Sequence, residues 1–250
     1  MGIKIDTSLN IKFLKVPLFG SPDFVPRWID SKLSKLTATL DVITKLPNPH
    51  VAFHLLGKAA GVCTVMFWMR TMPASMVSSL FSNFDQQQRA TLEMLLGSKM
   101  SEEQWEQAQL PLRLGGCGIR GAVAGADAAY VMSRAMTRTS CKGLDNNFVD
   151  EGDVEEQVFC GLGEAVRHVN DKLPSEKQIG DDIECTLEDV DKKWLVLNTW
   201  VEEETAKRML DRARGSECDA ARLLAVRAPG SAAFLDGAPS REGGTMLNGE

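Results

Sequence analysis

The chain has 250 residues, of which 44% are hydrophobic and 25% are charged, a composition that excludes collagenous and broadly disordered proteins. This length is sufficient for one large domain or two small ones. The formal net charge is −6, but residues 1–74 carry +5 and residues 141–250 carry −11. The basic first third can therefore bind along a polyanion, which the acidic last third cannot do easily. The alternative interpretation is that both charged segments form surfaces that contact only solvent.

Neither an export signal nor a membrane segment is expected. The N-terminus lacks the apolar stretch of a signal peptide, and the longest apolar run, residues 59–69, has 11 residues where a bilayer span needs about 20. The six cysteines lie at least 19 residues apart and form no C-x-x-C motif, which favours reduced thiols. We therefore expect an intracellular protein, in the cytoplasm or nucleus, in which residues 59–69 are a buried helical segment.

Short strands are predicted for residues 1–20, because their apolar run is rich in strand-forming side chains. Ser21 is the predicted cap of the first helix, with Pro22 in its first turn. The prolines of residues 46–49 end this helix. Its apolar side chains fall on one stripe at helical spacing, namely Ile29, Leu33, Leu36, Leu40 and Ile43.

Two longer helices and one short one are predicted next along the chain. Residues 50–71 form the first, which stops before a proline, and residues 74–96 form the second, which ends at Gly97. Ser101 and Gln104 have the spacing of a capping box at the start of a short helix.

The second half of the chain is predicted to be helical as well. Residues 140–153 are polar, contain two glycines and mark a linker between a helical region, 21–139, and an acidic helical region, 154–235. Residues 236–250 are a predicted disordered tail. The fold class is therefore mainly α, a helical bundle-like array with a short β-hairpin or strand near the N-terminus. The further predicted helices are 122–139, 154–173, 187–214 and 217–226.

The glycine-rich stretch 109–122 is the main candidate for a binding loop. Residues 116–121 fit the letters of the dinucleotide fingerprint G-x-G-x-x-G. No acidic residue follows at the ribose-binding position, strands do not alternate with helices, and the lysine of a phosphate loop is missing. We therefore interpret the glycines as a turn that lets the next helix start close against another element, and we predict no cofactor.

Two pairs of residues have the chemistry to hold a metal. His50 and His54 are spaced i and i+4, but the glutamate of zinc proteases does not follow His50, and His168 is the only other histidine. Asp181 and Asp182 lie in a turn, where aspartates more often cap the helix that follows. A G-x-S-x-G nucleophile elbow is absent too. The sequence thus predicts no catalytic, cofactor-binding or metal-binding residue, and therefore no enzyme.

Several phrases in order nevertheless resemble one family. They are FLKVPLFGSPDF (13–24), MFWMRTMP (66–73), FD (84–85), QAQLPLRLGGCGIRGA (107–122), ADAAYVMS (126–133) and DAARLLAVRAPGSAAFLDGAPS (219–240). Together they resemble the C-terminal part of reverse-transcriptase-like open reading frames of non-LTR retrotransposons, over nearly the whole chain.

The resemblance implies that residues 1–20 correspond to the end of a polymerase palm and residues 21–139 to a thumb-like region. In that family the chemistry rests on palm aspartates, including an Asp-Asp turn that holds two magnesium ions. Here Tyr130 is followed by Val-Met-Ser rather than by aspartates. We therefore expect a catalytically inactive fragment to which none of the family's catalytic residues carries over.

The resemblance also implies a nucleic-acid role for the basic first third. RNA or an RNA–DNA duplex is the expected partner, held by non-specific, salt-sensitive phosphate contacts. Trp28 or Trp68 could stack on a base, although Trp68 lies in the apolar run and suits the core better. The alternative is a helical scaffold or interaction protein, or a relic without any nucleic-acid role. The candidate phosphate-binding residues are Lys12, Lys15, Arg27, Lys32, Lys35 and Arg70.

Overall fold

The computed structural model describes residues 11–13, 16–19, 23–145, 161–180 and 193–236. Within them the protein is mainly α-helical with a short β-hairpin at its N-terminal side, as the sequence predicts. The strands are β1 (Ile11–Phe13) and β2 (Val16–Phe19). The helices are α1 (Phe24–Thr44), α2 (Pro49–Lys58), α3 (Met66–Thr71), α4 (Ala74–Leu96), α5 (Glu102–Gln109), α6 (Ala122–Leu144), α7 (Leu162–Asn170), α8 (Lys193–Ala213), α9 (Glu217–Val226) and α10 (Ala233–Asp236).

The hairpin is antiparallel and packs on the start of α1. Phe13 lies opposite Val16 and Lys12 opposite Pro17, with an irregularity in register after Ile11. A proline is tolerated here because a two-stranded hairpin has only edge strands. Val16 joins the core cluster that also contains Trp28 of α1, so the hairpin is attached through its second strand.

Helix α1 has the predicted apolar stripe but not the predicted start. It begins at Phe24 with Asp23 at the N-cap, and the Asp23 side chain makes no capping hydrogen bond. The prediction that Ser21 caps this helix is therefore wrong, and Ser21 and Pro22 lie outside the described residues. Stripe residues Ile29, Leu40 and Ile43 are buried, and Leu33 and Leu36 pack at the edge of the core.

The single helix predicted over 50–71 is wrong, because the structure divides it into α2, a 3-10 turn (Val62–Thr64) and α3. Buried Gly61 marks the break, where a Cβ atom would lie 2.2 Å from the backbone oxygen of Gly57. Asn48 caps α2 by accepting hydrogen bonds from two backbone N–H groups, at 2.9 and 3.2 Å. By length and hydropathy alone Pro49–Thr71 could cross a membrane, a test that the core helix of a soluble protein also passes.

Helices α4 and α5 begin and end as predicted, and a polar cluster joins them. Gly97 ends α4 in the left-handed conformation with φ 68°, and Ser101 and Gln104 form the capping box of α5. Arg89 of α4 pairs with Glu93 at 3.2 Å and reaches across to Glu102 of α5. Hydrogen bonds from the Lys99 ammonium and the Met100 N–H lower the pKa of Glu93 to about 2, so Glu93 stays ionised at this joint.

Helix α6 is the centre of the molecule. Ala122, Ala126 and Ala129 pack against α3 and α4, in a cluster that includes Met69, Phe81 and Phe84. Its neighbouring residues Ala128 and Tyr130–Met132 pack instead against α7 and α8, in a cluster that includes Ala165 and Leu197. Small side chains allow helices to approach closely, which explains why this helix can be covered on two sides.

This packing corrects the predicted division into regions. Helix α6 continues to Leu144, so residues 140–144 of the predicted linker are helical, and residues 146–153 lie outside the described residues. In the described part of the acidic region, α7 and α8 share a hydrophobic cluster with α6 rather than forming a core of their own. Residues 237–250 of the predicted tail lie outside the described residues, and Asp236 is the last residue of α10.

Helices of the acidic region lie where the sequence predicts them, but not all of their ends match. Helix α7 ends at Asn170, three residues before the predicted end, and residues 154–160 and 187–192 lie outside the described residues. Helix α9 has the predicted bounds, and the Ser216 hydroxyl caps it by accepting from the N–H of Asp219 at 3.3 Å.

Candidate functional site

The predicted phosphate-binding cations lie on three neighbouring elements, which we call the basic face. Lys12 is on β1, Arg27, Lys32 and Lys35 are on α1, and Arg70 is on α3. Lys15 lies outside the described residues. Lys32 is half-buried, and the other four are exposed. Residues 23–74, the segment that contains four of these cations, have six Lys or Arg and only three Asp, a positive excess.

A pair of tryptophans joins α1 to α3 at the middle of this face. The rings of Trp28 and Trp68 meet edge to face with their centroids 5.2 Å apart. The Lys32 ammonium lies 5.6 Å from the Trp28 ring centroid and 5.5 Å from that of Trp68. Trp28 is only 5% exposed, so the expectation that it stacks on a base is wrong, and Trp68, which the sequence suited better to the core, is half-buried. Both indoles instead position one lysine at the surface by cation–π contact.

The remaining cations differ in how firmly they are held. The Lys12 ammonium lies 5.3 Å from the centroid of the Phe24 ring, which connects the hairpin to the first turn of α1. Arg27 pairs with Asp23 at 3.3 Å, but both side chains are more than 70% exposed, and such a surface pair is weak. Among the described residues, no carboxylate lies within ion-pair distance of Lys35 or Arg70.

The glycine-rich stretch 109–122 is a connector between α5 and α6, which confirms the structural interpretation of its glycines. Residues 112–114 form a 3-10 turn rather than a strand. Gly115 and Gly118 have φ of 79° and 72°, in the left-handed region that favours glycine. A Cβ on Gly116 would lie 2.0 Å from the backbone oxygen of Leu110, so close approach of two backbone segments requires this glycine.

A side chain of the protein fills the position that an anion would take at the start of α6. The Asp85 carboxylate accepts hydrogen bonds from the N–H groups of Ala122 at 2.6 Å and Val123 at 3.0 Å. A helix N-terminus binds anions through these same N–H groups, so Asp85 of α4 competes with any phosphate here. Burial raises the pKa of Asp85 to about 6, although both backbone hydrogen bonds act to lower it.

Sequence reasoning missed the capping role of Asp85. The pair Phe84-Asp85 enters the sequence analysis only as part of the resemblance. An aspartate next to a buried phenylalanine in the middle of a helix is unusual, because isolated carboxylates are seldom buried. That pattern is the signal that could have singled it out, but its partners are 37 and 38 residues away in sequence.

The histidines lie in two separate places. The Nε2 atoms of His50 and His54 are 3.2 Å apart on α2. His168 of α7 lies elsewhere, with Nδ1 3.4 Å from the Asp127 carboxylate and Nε2 3.9 Å from that of Glu164. The described residues contain no group of three or more His, Cys, Asp or Glu side chains that could hold a metal. The predicted pair Asp181 and Asp182 lies outside them.

The surroundings of His168 contain residue types found in nucleophilic catalysis. Ser75, Ser78 and Ser82 of α4 line a cavity of about 240 Å³ together with Asp127 and His168. Burial raises the pKa of Asp127, although Lys172 and His168 act to lower it. Because Nε2 of His168 is directed to Glu164, the ring nitrogen that would activate a serine already has a carboxylate neighbour. We draw no catalytic assignment from this cavity.

No protein-family model, no curated protein and no solved structure matches this chain. The functional argument therefore rests on its own residues and on their arrangement.

Proposed function

We propose that this chain is a catalytically inactive, retroelement-derived helical module that binds RNA or an RNA–DNA duplex weakly and without sequence specificity. The observation that carries the proposal is the basic face, in which two indoles hold Lys32 near the surface and Lys35 on α1 and Arg70 on α3 are exposed. Lys35 and Arg70, which have no carboxylate within ion-pair distance among the described residues, can pair with backbone phosphates at no cost of breaking an ion pair.

The shape of the face favours phosphate contacts over base recognition. Its cations come from a hairpin and two helices, and of the aromatic side chains next to them Trp28 is buried and Trp68 and Phe24 are half-buried. Phosphate contacts position a nucleic acid but carry no sequence information. Binding that depends on few such contacts is weak at physiological salt and strongly dependent on ionic strength.

The inactivity is proposed from the chemistry of the residues. A polymerase needs carboxylates that hold two metal ions, and the one tyrosine of the chain, Tyr130, is buried in α6 with 2% of its surface exposed. It is followed by Val131 and Met132, which are buried in the same hydrophobic cluster. This position therefore serves packing and has no carboxylate to offer a metal.

The test is fluorescence anisotropy with a labelled RNA–DNA duplex of about 20 base pairs at roughly 20 to 200 mM salt, the range over which phosphate binding weakens most. We expect measurable affinity at the low end and a steep decrease towards the high end. Replacing Lys12, Lys35 and Arg70 together by Ala should reduce the slope of log K against log salt by about one for each of these cations that binds a phosphate. Lys32 is left in place because its stem packs on the tryptophans.

The matched control removes the same charge elsewhere, through Lys142, Lys207 and Arg214→Ala. All three side chains are exposed and lie outside the basic face, on α6, on α8 and just after α8. The control triple should keep the slope of the unmodified protein. Absence of binding at the lowest salt, or equal decreases in both triples, would reject the nucleic-acid proposal.

A helical interaction protein without a nucleic-acid role is the second candidate. The observation that favours it is apolar exposure on the C-terminal half of α6, where Met136 is 49% and Leu144 89% exposed. That candidate predicts that neither triple variant changes binding to nucleic acid, because there is none to change.

A further inference from the structure

A further cavity, lined by residues that include none of the basic-face cations, combines apolar and cationic side chains. This cavity has a volume of about 280 Å³ and lies between α3, α5, α6 and α8. That is close to the lower end of the volumes, roughly 300–1,000 Å³, of small-molecule sites. Side chains of Met66, Met69, Leu110 and Val201 make one part of its wall apolar.

Three cations line the same cavity, and two of them have no close carboxylate. Arg120 pairs with Glu202, Nε to Oε1, at 3.0 Å. The Lys172 ammonium donates to the backbone oxygen of Ala124 at 3.4 Å, and the Arg208 guanidinium donates to the backbone oxygen of Lys172. Within the described part of the chain, no carboxylate comes within ion-pair distance of Lys172 or Arg208; the charge of Lys172 acts on Asp127 from further away.

The acidic residues of the cavity wall are neutralised by other partners. Glu106 pairs with Arg212 at 2.6 Å. Glu202 is shared between Arg120 and Arg113, the latter at 3.8 Å. The Glu202 side chain is 16% exposed, and this burial raises its pKa. Within the described residues, Lys172 and Arg208 therefore lie beside an apolar surface without a carboxylate at ion-pair distance, and Asp127 interacts with Lys172 only at longer range.

This combination defines a ligand class. A guanidinium has five N–H donors in a planar fork, and Arg208 uses one nitrogen on the Lys172 carbonyl, which leaves the others for an anion. A phosphate monoester carries up to two negative charges and several strong acceptor oxygens, so it matches two cations that line one cavity better than a single carboxylate does. The thioethers of Met66 and Met69 adapt well to an apolar or planar group attached to that phosphate.

We propose that this cavity binds a small phosphate monoester, with the phosphate on Lys172 and Arg208 and its apolar or planar body against Met66, Met69 and Val201. The site does not depend on the proposed nucleic-acid function, because it uses none of the cations of the basic face. Its two cations lie 36 residues apart in sequence, so no local sequence motif predicts the site.

The test uses phenyl phosphate as the probe, in calorimetric titration and thermal melting of the full chain at low salt. We expect saturable binding and a raised Tm, with phenyl phosphate binding at least ten times more tightly than inorganic phosphate. Lys172→Met and Arg208→Met should each weaken binding tenfold or more. Lys207→Ala, next to Arg208 on α8 but outside the cavity wall, should leave it unchanged.

Loss of folding could imitate loss of binding in the Arg208 variant, since its guanidinium holds a backbone carbonyl. Arg208→Lys keeps the charge but loses the planar fork, and it should weaken phenyl phosphate binding by several-fold while the circular dichroism spectrum stays unchanged. Equal affinity for phenyl phosphate and inorganic phosphate would overturn the proposed contact of the phenyl ring with Met66, Met69 and Val201. Absence of saturable binding, or equal effects of Lys172→Met and Lys207→Ala, would overturn the site.

Discussion

At the scale of single residues, Asp85 has the most consequential position. Its carboxylate belongs to α4 but satisfies the first N–H groups of α6, so one side chain fixes the contact between the two helices that carry most of the first core cluster. The four N–H groups at a helix start need partners, and leaving them buried and unpaired costs free energy. A local cap would not connect α6 to the core in this way.

Replacing Asp85 by Ala should therefore destabilise the protein. We expect a decrease of about 1–3 kcal/mol in the free energy of unfolding, the usual cost of losing a helix cap and leaving buried donors unpaired. Urea unfolding at about pH 4.5, followed by circular dichroism, measures it. Asp41→Ala is the control, because Asp41 is exposed on α1 and should change stability by less than about 0.5 kcal/mol.

The size of this effect should depend on pH. Because the folded-state pKa of Asp85 is raised from 3.8 to about 6, the folded protein binds this proton more tightly than the unfolded chain does. The resulting stability is fully present below pH 3.8 and is lost as the pH rises through about 6. The difference in the free energy of unfolding between the unmodified protein and Asp85→Ala should thus decrease between about pH 4.5 and pH 7. A difference in the free energy of unfolding that increases over this interval would contradict the raised pKa of Asp85.

At the scale of elements, the connector between α5 and α6 depends on glycines for two different reasons. Gly115 and Gly118 supply left-handed backbone, whereas Gly116 leaves room for the backbone of residues 107 and 110. The N–H of Gly118 donates to the Leu110 oxygen at 2.9 Å, which closes the turn on itself. The connector is a compact joint that sets the distance between two helices.

Gly116→Ala should be strongly destabilising, because its Cβ would meet backbone oxygens at 2.0 and 2.6 Å that cannot move independently of the turn. We expect a loss of about 3 kcal/mol, the upper part of the range for overpacking. Gly143→Ala is the matched control within α6, where a Cβ meets nothing within 4 Å. It should stabilise the helix by about 0.5–1 kcal/mol. Similar unfolding midpoints for the two variants would show that the joint is not close-packed.

At the scale of the whole molecule, α6 makes the two halves of the chain interdependent. Tyr130, Val131 and Met132 are buried by α7 and α8 from the acidic region, while the alanines of the same helix are buried by α3 and α4. The salt bridge between Arg212 of α8 and Glu106 of α5 is a further connection between the two halves. The acidic region therefore completes the hydrophobic core around α6, the last helix of the region that precedes it.

A chain that ends at residue 145 should consequently not fold as the full chain does. Removing α7 and α8 exposes the large side chains of one cluster of α6, and we expect loss of the cooperative thermal transition and concentration-dependent association in sedimentation. The control is deletion of residues 237–250, which should leave the melting curve unchanged. A monomeric 1–145 fragment with a cooperative melt would instead support two separate domains, as the predicted linker implied.

The features that the sequence determined by itself are those that depend on neighbouring residues in the chain. The bounds of α4, the capping box of α5 and the structural role of the connector glycines follow from periodicity, caps and backbone preference, which depend on residues within a few positions of each other. The mainly α-helical class follows from the same signals. These features were predictable because their energies are set within one turn or one helix.

The tertiary structure decided what depends on distant residues. The break at Gly61, the capping of α6 by Asp85 and the packing of Trp28 against Trp68 all join segments whose proximity no local pattern records. The same holds for the candidate sites: the sequence indicated which cations belong to the basic first third, but only packing placed Lys32 over two indoles and Arg208 beside Lys172. Burial and electrostatic environment arise from the assembled core, so the chemistry of these groups exists only in the folded chain.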